Sequence, residues 1–370
     1  MAEVPQDNLD TRALAEQTDA VILVGGKGTR LRPLTNSIPK PMLPVAGAPF
    51  LQHLLARIKA AGMTHVVLGT SFKAEVFEQY FGDGSEMGLE IEYVVEDEPL
   101  GTGGGIRNVA SKLRHDRAMI FNGDVLGGTD LGAILRTHVE QDAEVTLHLL
   151  RVADPRAFGC VPTDESGRVE AFLEKTEDPP TDQINAGSYV FNRDVIESIP
   201  QGRAVSVERE VFPELLNRGA RVFGHVDQAY WRDLGTPGDF VRGSSDLVRG
   251  IAPSPLLEGR HGEALVDESA AVSSGALVYG GSVIGRGAEI SGGARVESSV
   301  VFDGVQIEAG ATVERCVIAE GARIGARAHL EDCVIGEGAV IGARCELESG
   351  ARVWPGVAIP DGGIRFSSDV

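Results

Sequence analysis

Apolar residues in the last part of the chain recur at fixed intervals, and this repeat constrains the fold more than any other feature. Between residues 272 and 296 an aliphatic side chain occupies every sixth position. Beyond residue 300 the pattern closes on a period of 17 and keeps three columns in register: Val301 with Ile318 and Ile335, Ile307 with Ile324 and Ile341, and Val313 with Leu330 and Leu347. Three apolar columns in each period predict a three-sided coil with a continuous aliphatic core.

Glycines mark the corners of this coil, as in VIGRGA, RIGARA and VIGEGA. Ordinary hairpins would require apolar residues at every second position, and these segments lack that alternation. The pattern resembles the hexapeptide-repeat left-handed parallel β-helix, which we therefore expect over residues 264–370. Pro253 and Pro255 lie in the segment before it, so residues 253–263 are predicted to be a linker.

Residues 20–252 follow a different pattern, in which short apolar runs alternate with longer amphipathic stretches. This alternation is typical of an α/β domain, and its spacing favours a Rossmann-like, mostly parallel sheet with right-handed crossovers. A helix is predicted at 50–61, and buried strands are predicted at 21–24, 65–69, 91–95 and 118–122. Residues 1–19 are polar and are predicted to form a tail before the fold.

The chain is strongly acidic, with 34 Lys and Arg against 54 Asp and Glu and a net charge of −20. This excludes a broad surface for nucleic acid or anionic membrane, so an anionic ligand needs a local basic site. No apolar run reaches the roughly 18 residues that span a bilayer, and the first residues lack the plan of a signal peptide. The four cysteines show no CxxC pair, so we expect reduced thiols in the cytoplasm.

A glycine-rich, basic segment directly follows the first predicted strand. It reads GGKGTRLRPLTNSIPKP over residues 25–41. Glycines allow backbone N–H groups to approach phosphate oxygens, and four cations (Lys27, Arg30, Arg32 and Lys40) concentrate positive charge there. The segment is not a P-loop, and it lacks the dinucleotide fingerprint because Leu31 stands where the third glycine belongs. A polyphosphate ligand is predicted.

This segment resembles the GGxGTRLxPLTxxxPKP signature of the nucleotide-sugar pyrophosphorylases. Later segments of the family recur in the same order: PLGTGGG, FNGDV, FLEKT, NAGSYVF, VSVEREVFP and YWRDLGTP. Together they cover residues 21 to about 245, and the nearest resemblance is to mannose-1-phosphate guanylyltransferases of actinobacterial type. The resemblance implies a nucleotidyltransferase domain over 20–252 that uses Mg²⁺ to transfer a nucleotidyl group from GTP to α-D-mannose 1-phosphate. GDP-mannose and pyrophosphate would be the products.

The resemblance also implies roles for individual residues. Arg30, Lys40 and Asp124 match the catalytic residues, and Asp124 and Asp233 match the metal-binding aspartates. Nucleotide-binding positions are Leu23, Gly25, Gly26, Gly28, Thr29, Arg30, Lys40, Gly101, Thr102 and Asp124. Sugar-phosphate-binding positions are Gly159, Glu174, Lys175 and Asn185. An Asp after a strand is also a common turn or helix cap, and the surrounding motif favours the metal role.

Several alternatives stay open at this stage. The substrate pair of a glucose-1-phosphate thymidylyl- or uridylyltransferase, or of a heptose-1-phosphate guanylyltransferase, fits the same chemistry. A non-catalytic regulatory homologue would have lost signature residues, which are all present. A β-helix acyltransferase would need a histidine base, and His329 adjoins a core column and is expected to point outward. The flat faces and open end of the coil make a homo-oligomer the expected assembly.

Overall fold

The computed structural model describes residues 6–71, 73–173, 175 and 177–364, with the backbone alone for residues 6–10. The chain forms two compact units. The first combines the segment up to Gly26 with Leu54–Trp231, and the second combines Lys27–His53 with the chain from Arg232 onward. The predicted domain limits, 20–252, 253–263 and 264–370, remain a prediction, and the compact units divide the chain elsewhere.

Helices and strands alternate through the first two thirds of the chain. The helices are α1 (Gln6–Glu16), α2 (Phe50–Ala61), α3 (Ala74–Phe81), α4 (Gly101–Asn108), α5 (Leu131–Glu140), α6 (Arg193–Ser198), α7 (Phe212–Asn217) and α8 (Pro237–Val248). The strands in this part are β1 (Asp19–Leu23), β2 (Pro44–Val45), β3 (Ala48–Pro49), β4 (His65–Thr70), β5 (Glu90–Val95), β6 (Arg117–Asn122), β7 (Val125–Gly127), β8 (Val145–Arg151), β9 (Gln183–Asn192), β10 (Val222–Asp227) and β11 (Trp231–Asp233). None of the described helices is both long and apolar enough to cross a membrane.

A seven-stranded sheet forms the centre of the first unit, in the order β10-β8-β9-β6-β1-β4-β5. The pairs β1–β4, β1–β6, β4–β5 and β8–β10 are parallel, whereas β9 runs antiparallel to both of its neighbours. The mostly parallel sheet is confirmed. The predicted strands correspond to β1, β4, β5 and β6 with ends that differ by one or two residues, and α2 has the predicted bounds.

The N-terminal segment differs from the expected polar tail, because Gln6–Glu16 is a helix. α1 packs against α5, and Ala15 is fully buried. The helices approach closely since a side chain at Gly132 would lie 2.9 Å from Thr11 Cβ. Thr18 Oγ1 then donates to the Leu14 carbonyl at 2.7 Å, which ends the segment just before β1. For these residues the structure differs from the predicted tail, and Thr11 and Ala15 contribute small side chains to the close contacts.

The C-terminal strands of the second unit form three parallel sheets, as a three-sided β-helix requires. One sheet contains β12 (Ala264–Val266), β15 (Ser282–Ile284), β18 (Val300–Val301), β21 (Val317–Ile318), β24 (Val334–Ile335) and β27 (Arg352–Val353). The next contains β13 (Ala271–Val272), β16 (Glu289–Ile290), β19 (Gln306–Ile307), β22 (Arg323–Ile324), β25 (Val340–Ile341) and β28 (Ala358–Ile359). The third contains β14 (Leu277–Tyr279), β17 (Arg295–Glu297), β20 (Thr312–Glu314), β23 (His329–Glu331) and β26 (Glu346–Leu347).

Strand register confirms the three predicted apolar columns. Val301 pairs with Ile318 and Ile318 with Ile335, and the other two columns align in the same way. Their side chains fill the interior of the coil and are almost fully buried. His329 precedes the buried Leu330 and keeps 37% of its side chain exposed, so it points outward as expected. The left hand of the coil stays a prediction.

Candidate active site

The basic signature segment lies in the second unit, where it forms short 3₁₀ turns at Thr29–Leu31, Leu34–Asn36 and Lys40–Met42. Gly28 begins the first turn with φ of 57°, in the left-handed region. A Cβ there would lie 3.0 Å from Thr35 Cγ2 and 3.1 Å from Lys40 Cβ. Thr35 Oγ1 donates to the Gly28 carbonyl at 2.8 Å, which ties the second turn to the start of the first. Glycine at 28 therefore permits both the backbone bend and the close approach.

Lys40 and Arg30 converge on one carboxylate. Lys40 is 8% exposed, and its Nζ lies 3.5 Å from Asp233 Oδ1. Arg30 Nη2 lies 3.9 Å from Asp233 Oδ2, with 67% of the arginine side chain exposed. Two cations that would repel each other are thus held close together by the charge between them. The structure brings together three of the predicted site residues from positions far apart in the chain.

Gly235 also contributes to this cluster, although sequence reasoning assigned it no role. A Cβ at this position would lie 2.7 Å from Arg30 Nη2 and 2.9 Å from Arg30 Cζ. Thr236 then caps α8 by accepting from the Asp239 N–H at 3.2 Å. The motif YWRDLGTP contained this signal, because a glycine between an aspartate and a helix cap leaves room for another side chain.

In the first unit, the end of β1 carries three of the predicted nucleotide-binding residues. Leu23 is partly buried, and its carbonyl accepts from the Gly123 N–H at 2.9 Å. Ser71 Oγ donates to the Gly25 carbonyl at 2.7 Å and lies 2.9 Å from where a Cβ on Gly25 would stand. A Cβ on Gly26 would meet no atom within 4 Å. Gly26 therefore leaves its backbone accessible at the carboxyl edge of the sheet, where α/β proteins bind ligands.

Glycines also shape the start of α4, which carries the predicted Gly101 and Thr102. Gly101 has φ of 67°, and a Cβ there would lie 2.7 Å from the Val205 carbonyl oxygen. The Gly103 N–H donates to the same carbonyl at 2.8 Å. The Thr102 hydroxyl accepts from the Val207 N–H at 2.9 Å and donates to Glu208 at 3.2 Å. The side chain of Thr102 thus holds the VSVEREVFP segment.

Asp124 follows β6, which is adjacent to β1 in the sheet. Its side chain is half-buried. Gly123 before it packs tightly, since a Cβ there would lie 2.5 Å from Val24 Cγ1. This close packing fixes the backbone at the end of the strand and places a carboxylate at the same sheet edge as Leu23. Carboxylate oxygens are the ligands that hard divalent cations prefer, so Asp124 and Asp233 fit the metal role chemically.

Asn185 lies on β9, and both ends of its amide are engaged. Its Oδ1 accepts from the Gly187 N–H at 3.0 Å, and its Nδ2 donates to the Tyr189 hydroxyl at 2.8 Å. Tyr189 is 1% exposed and also hydrogen-bonds Asn122. Burial first, and the nearby Glu208 charge second, raise the pKa of Tyr189 above its usual range. Sequence reasoning missed Tyr189, which has no signal beyond its place in NAGSYVF.

The remaining sugar-side residues lie on two loops that pair with each other. Gly159 has φ of 76° and precedes Cys160, whose N–H donates to the Leu173 carbonyl at 3.1 Å. The reciprocal bond from Leu173 to Cys160 is 2.9 Å. Lys175 is exposed just beyond this bridge. Glu174, the other predicted sugar ligand, lies outside the described residues.

The predicted residues therefore fall into two groups, one in each unit. The first unit contains Leu23, Gly25, Gly26, Gly101, Thr102, Asp124, Gly159, Lys175 and Asn185, and the second contains Gly28, Thr29, Arg30, Lys40 and Asp233. The first group combines accessible backbone after β1 with the carboxylate of Asp124. The second contains the charge cluster of Lys40, Arg30 and Asp233. The four cysteines are free and buried, so none of them offers a reactive thiol at the surface.

Comparison with known proteins identifies the family. The model described as "Nucleotidyl transferase" matches residues 19–250, and that described as "GMPPB C-terminal domain" matches residues 260–362. A mannose-1-phosphate guanylyltransferase of Mycobacterium tuberculosis is 70% identical over 355 residues, which cover 96% of this chain and 99% of the relative. The chain belongs to the mannose-1-phosphate guanylyltransferase family. Nucleotidyl transferases of this kind generally use a divalent metal.

More distant members of the mannose-1-phosphate guanylyltransferase family align over less of the chain. Mannose-1-phosphate guanylyltransferase 1 of Arabidopsis thaliana is 34% identical and covers 76% of this chain and 80% of its own length. Among solved structures, HddC of Yersinia pseudotuberculosis in complex with GMP-PN has a TM-score of 0.55 and 28% identity, over 62% of this chain and 99% of HddC. A putative glucose-1-phosphate thymidylyltransferase from Bacillus anthracis, at 24% identity and a TM-score of 0.56, covers 62% of this chain and 94% of its own; it supports the fold alone.

Proposed function

We propose that this enzyme transfers the guanylyl group of GTP to α-D-mannose 1-phosphate, giving GDP-mannose and pyrophosphate. The observation that carries the proposal is the 70% identity to the Mycobacterium tuberculosis mannose-1-phosphate guanylyltransferase along almost the whole chain. The complex of HddC with GMP-PN supports a guanine nucleotide for a protein of this fold.

The reaction joins two anions, so catalysis depends mainly on charge neutralisation and positioning. A phosphate oxygen of the sugar phosphate attacks the α-phosphorus of GTP, the bond to the β-phosphate oxygen breaks, and pyrophosphate leaves. Lys40 and Arg30 are the proposed partners of the triphosphate, because both present positive charge from one loop. The cluster around Asp233 supports this role, since it holds the two cations close together before the triphosphate arrives.

Asp124 and Asp233 are the proposed ligands of Mg²⁺, whose donor set of oxygens they fit. The ion would supply positive charge to the α-phosphate of the bound nucleotide. The Asp233 carboxylate already faces Lys40 and Arg30, so a cation bound there would lie beside the phosphate-binding side chains. Leu23, Gly25, Gly26, Gly28, Thr29, Gly101 and Thr102 are proposed to hold the nucleotide.

Gly159, Glu174, Lys175 and Asn185 are proposed to bind the sugar phosphate. The Asn185 amide has one N–H and one lone pair beyond the bonds to Tyr189 and Gly187. A polar group of fixed orientation distinguishes epimeric hydroxyls better than an apolar contact does. Asn185 is therefore proposed to contribute to the discrimination between epimeric sugars.

The test is a matrix of substrates with the purified full-length chain and Mg²⁺. Pyrophosphate release is recorded for GTP, dTTP, UTP and ATP, each with mannose 1-phosphate, glucose 1-phosphate and a heptose 1-phosphate. The proposal predicts the highest kcat/KM for GTP with mannose 1-phosphate. A higher kcat/KM for dTTP or UTP with glucose 1-phosphate, or for GTP with the heptose 1-phosphate, would show that this other pair is the substrate pair. No pyrophosphate release from any pair would refute an active transferase.

We also propose a homo-oligomer in the cytoplasm. The end of the β-helix exposes Trp354 and Val357, with 51% and 42% of their surface accessible, which supports burial against a second copy. Light scattering of the intact chain tests this directly, and a monomer at all concentrations would refute it. Four buried, unpaired cysteines agree with a reducing compartment.

A further inference from the structure

The loop that carries Arg30 and Lys40 belongs structurally to the same compact unit as the β-helix, although about 200 residues of sequence separate them. We propose that the β-helix positions this phosphate-binding loop, residues 27–43, and that Arg352 is the positioning residue that ties the loop to the coil. The inference rests on the proposed role of Arg30 and Lys40 in GTP binding. The C-terminal unit would then contribute to GTP binding as well as to any oligomeric assembly.

A well-formed hydrogen bond provides a polar link between the coil and the loop. Arg352 begins β27, near the C-terminal end of the coil, and its Nη1 donates to the Arg32 carbonyl at 2.8 Å. Arg32 lies two residues after Arg30 and immediately follows the turn Thr29–Leu31. A charged guanidinium bonded to a backbone carbonyl restrains the peptide itself. The restraint therefore acts on the backbone that orients Arg30.

An apolar contact extends the link along the loop. Pro33, Leu34 and Ile38 line one small cleft together with β-helix residues that follow β18, β21 and β27, namely Phe302, Ala319 and Pro355. Leu34 and Phe302 are 5% and 7% exposed, so each is covered by its surroundings. The coils of β18, β21 and β27 thus line the cleft at the middle of the loop, between Arg30 and Lys40.

The chain after the loop is anchored to the same unit. The Ala46 N–H donates to Ser244 Oγ of α8 at 3.1 Å. His53, which is 1% exposed, hydrogen-bonds Ser254 Oγ through Nδ1 at 2.7 Å and the Val45 carbonyl through Nε2 at 2.9 Å. A Cβ on Gly47 would lie 3.2 Å from Leu265 Cδ2 of β12. The loop is therefore held at its middle and beyond its end by the C-terminal part of the chain.

This anchoring has a functional consequence because the loop itself contains only short 3₁₀ turns. Such turns have few internal hydrogen bonds, and a loop that orders only on binding loses affinity to the entropy of ordering. A rigid coil that holds the loop in place removes part of that cost before GTP binds. Loosening the link should therefore weaken GTP binding without changing the affinity for the sugar phosphate.

The experiment compares Arg352→Ala with Arg295→Ala in the full-length chain. Arg295 is an exposed arginine that begins β17, on a sheet of the coil other than that of β27, and is the matched control. Amide hydrogen exchange is measured at Leu31, Asn36 and Leu43, whose N–H groups donate within the loop. KM is measured separately for GTP and for mannose 1-phosphate, and thermal melting confirms that both variants fold.

Arg352→Ala is expected to speed exchange of the loop amides by about 3- to 10-fold and to raise KM for GTP by a similar factor. KM for mannose 1-phosphate should stay at the wild-type value, and Arg295→Ala should change none of these quantities. Wild-type exchange in Arg352→Ala, or equal acceleration in Arg295→Ala, would overturn the inference. Hydrogen exchange needs no turnover. If the enzyme is inactive with GTP, the proposed function is refuted, and the exchange rates of Arg352→Ala and Arg295→Ala still decide this inference.

Discussion

Replacing Tyr189 with Phe removes one hydroxyl from the interior of the first unit and tests how Asn185 is oriented. The hydroxyl accepts from Asn185 Nδ2 at 2.8 Å, while the ring packs edge-on against Phe212 at a centroid distance of 5.4 Å. Phe keeps the ring and its packing. Tyr189 is 1% exposed, so the two asparagine amides that bond to it lose an acceptor that water does not replace.

The expected cost follows from that count of lost bonds. An unsatisfied buried polar group costs about 1–3 kcal/mol, so we expect the free energy of unfolding of Tyr189→Phe to fall by about 2 kcal/mol. Because Asn185 loses its fixed orientation, kcat/KM for mannose 1-phosphate should fall by roughly tenfold, which equals about 1.4 kcal/mol. KM for GTP should change by less than about twofold, because the proposed triphosphate contacts come from other residues.

Tyr93→Phe provides the matched control for this experiment. Tyr93 Oη donates to the Gly82 carbonyl at 2.7 Å on the edge strand β5, and burial raises the pKa of Tyr93 to about 12. Its loss should reduce stability without a selective kinetic effect. Initial rates of pyrophosphate release, with each substrate varied in turn, and urea unfolding measure both quantities. Unchanged kcat/KM for mannose 1-phosphate in Tyr189→Phe, or an equal loss in Tyr93→Phe, would show that the Tyr189 hydroxyl does not act through the orientation of Asn185.

Four further predictions concern charge, packing and metal. Lys40→Met should lower kcat/KM by about 10²- to 10³-fold with the fold retained by circular dichroism, because a preorganised cation is lost; activity within threefold of wild type would contradict its role. Gly235→Ala should raise KM for GTP by about tenfold, since the added Cβ would lie 2.7 Å from Arg30 Nη2, and the same change in an Arg30→Ala background should have no further effect. Burial alone would raise the pKa of Asp19, yet hydrogen bonds from His65 and from His115 lower it to about 2. The ionised carboxylate therefore stabilises the fold by about 2 kcal/mol above pH 4, and this contribution is lost as the pH falls toward 2. In an acid titration of the free energy of unfolding, Asp19→Asn should make the dependence on pH less steep in this range. Chelation by EDTA should abolish turnover and Mg²⁺ should restore it, whereas full activity in EDTA would contradict the proposed metal requirement.

Much of the β-helix was predictable because its contacts repeat. Val301 pairs with Ile318 in the next coil, and Ile318 pairs with Ile335 in the coil after that. A repeat of 17 residues in the sequence therefore produces one column of side chains in the structure. The helix Phe50–Ala61 was predictable for a related reason, since one apolar stripe determines both its bounds and its buried face. In both cases the information lies in local spacing.

The remaining features depend on contacts between distant segments. Neither the antiparallel direction of β9 nor the attachment of residues 27–53 to the C-terminal unit leaves a periodic signal. The helix α1 was missed because Thr11 and Ala15 make close contacts with little apolar surface. Tyr189 and Gly235 each lie inside a recognised motif, but the motif does not show which residue they contact. Only the folded chain shows that Tyr189 bonds to Asn185 and that Gly235 lies against Arg30.

Transfer of the guanylyl group is best tested by following the phosphorus atoms of GTP. The intact enzyme is incubated with Mg²⁺, mannose 1-phosphate and GTP labelled with ³²P at either the α- or the γ-position. Guanylyl transfer predicts that the α-label appears in GDP-mannose and the γ-label in pyrophosphate, in equal amounts. Release of the α-label as GMP, or of the γ-label as inorganic phosphate, with no labelled nucleotide sugar, would contradict it.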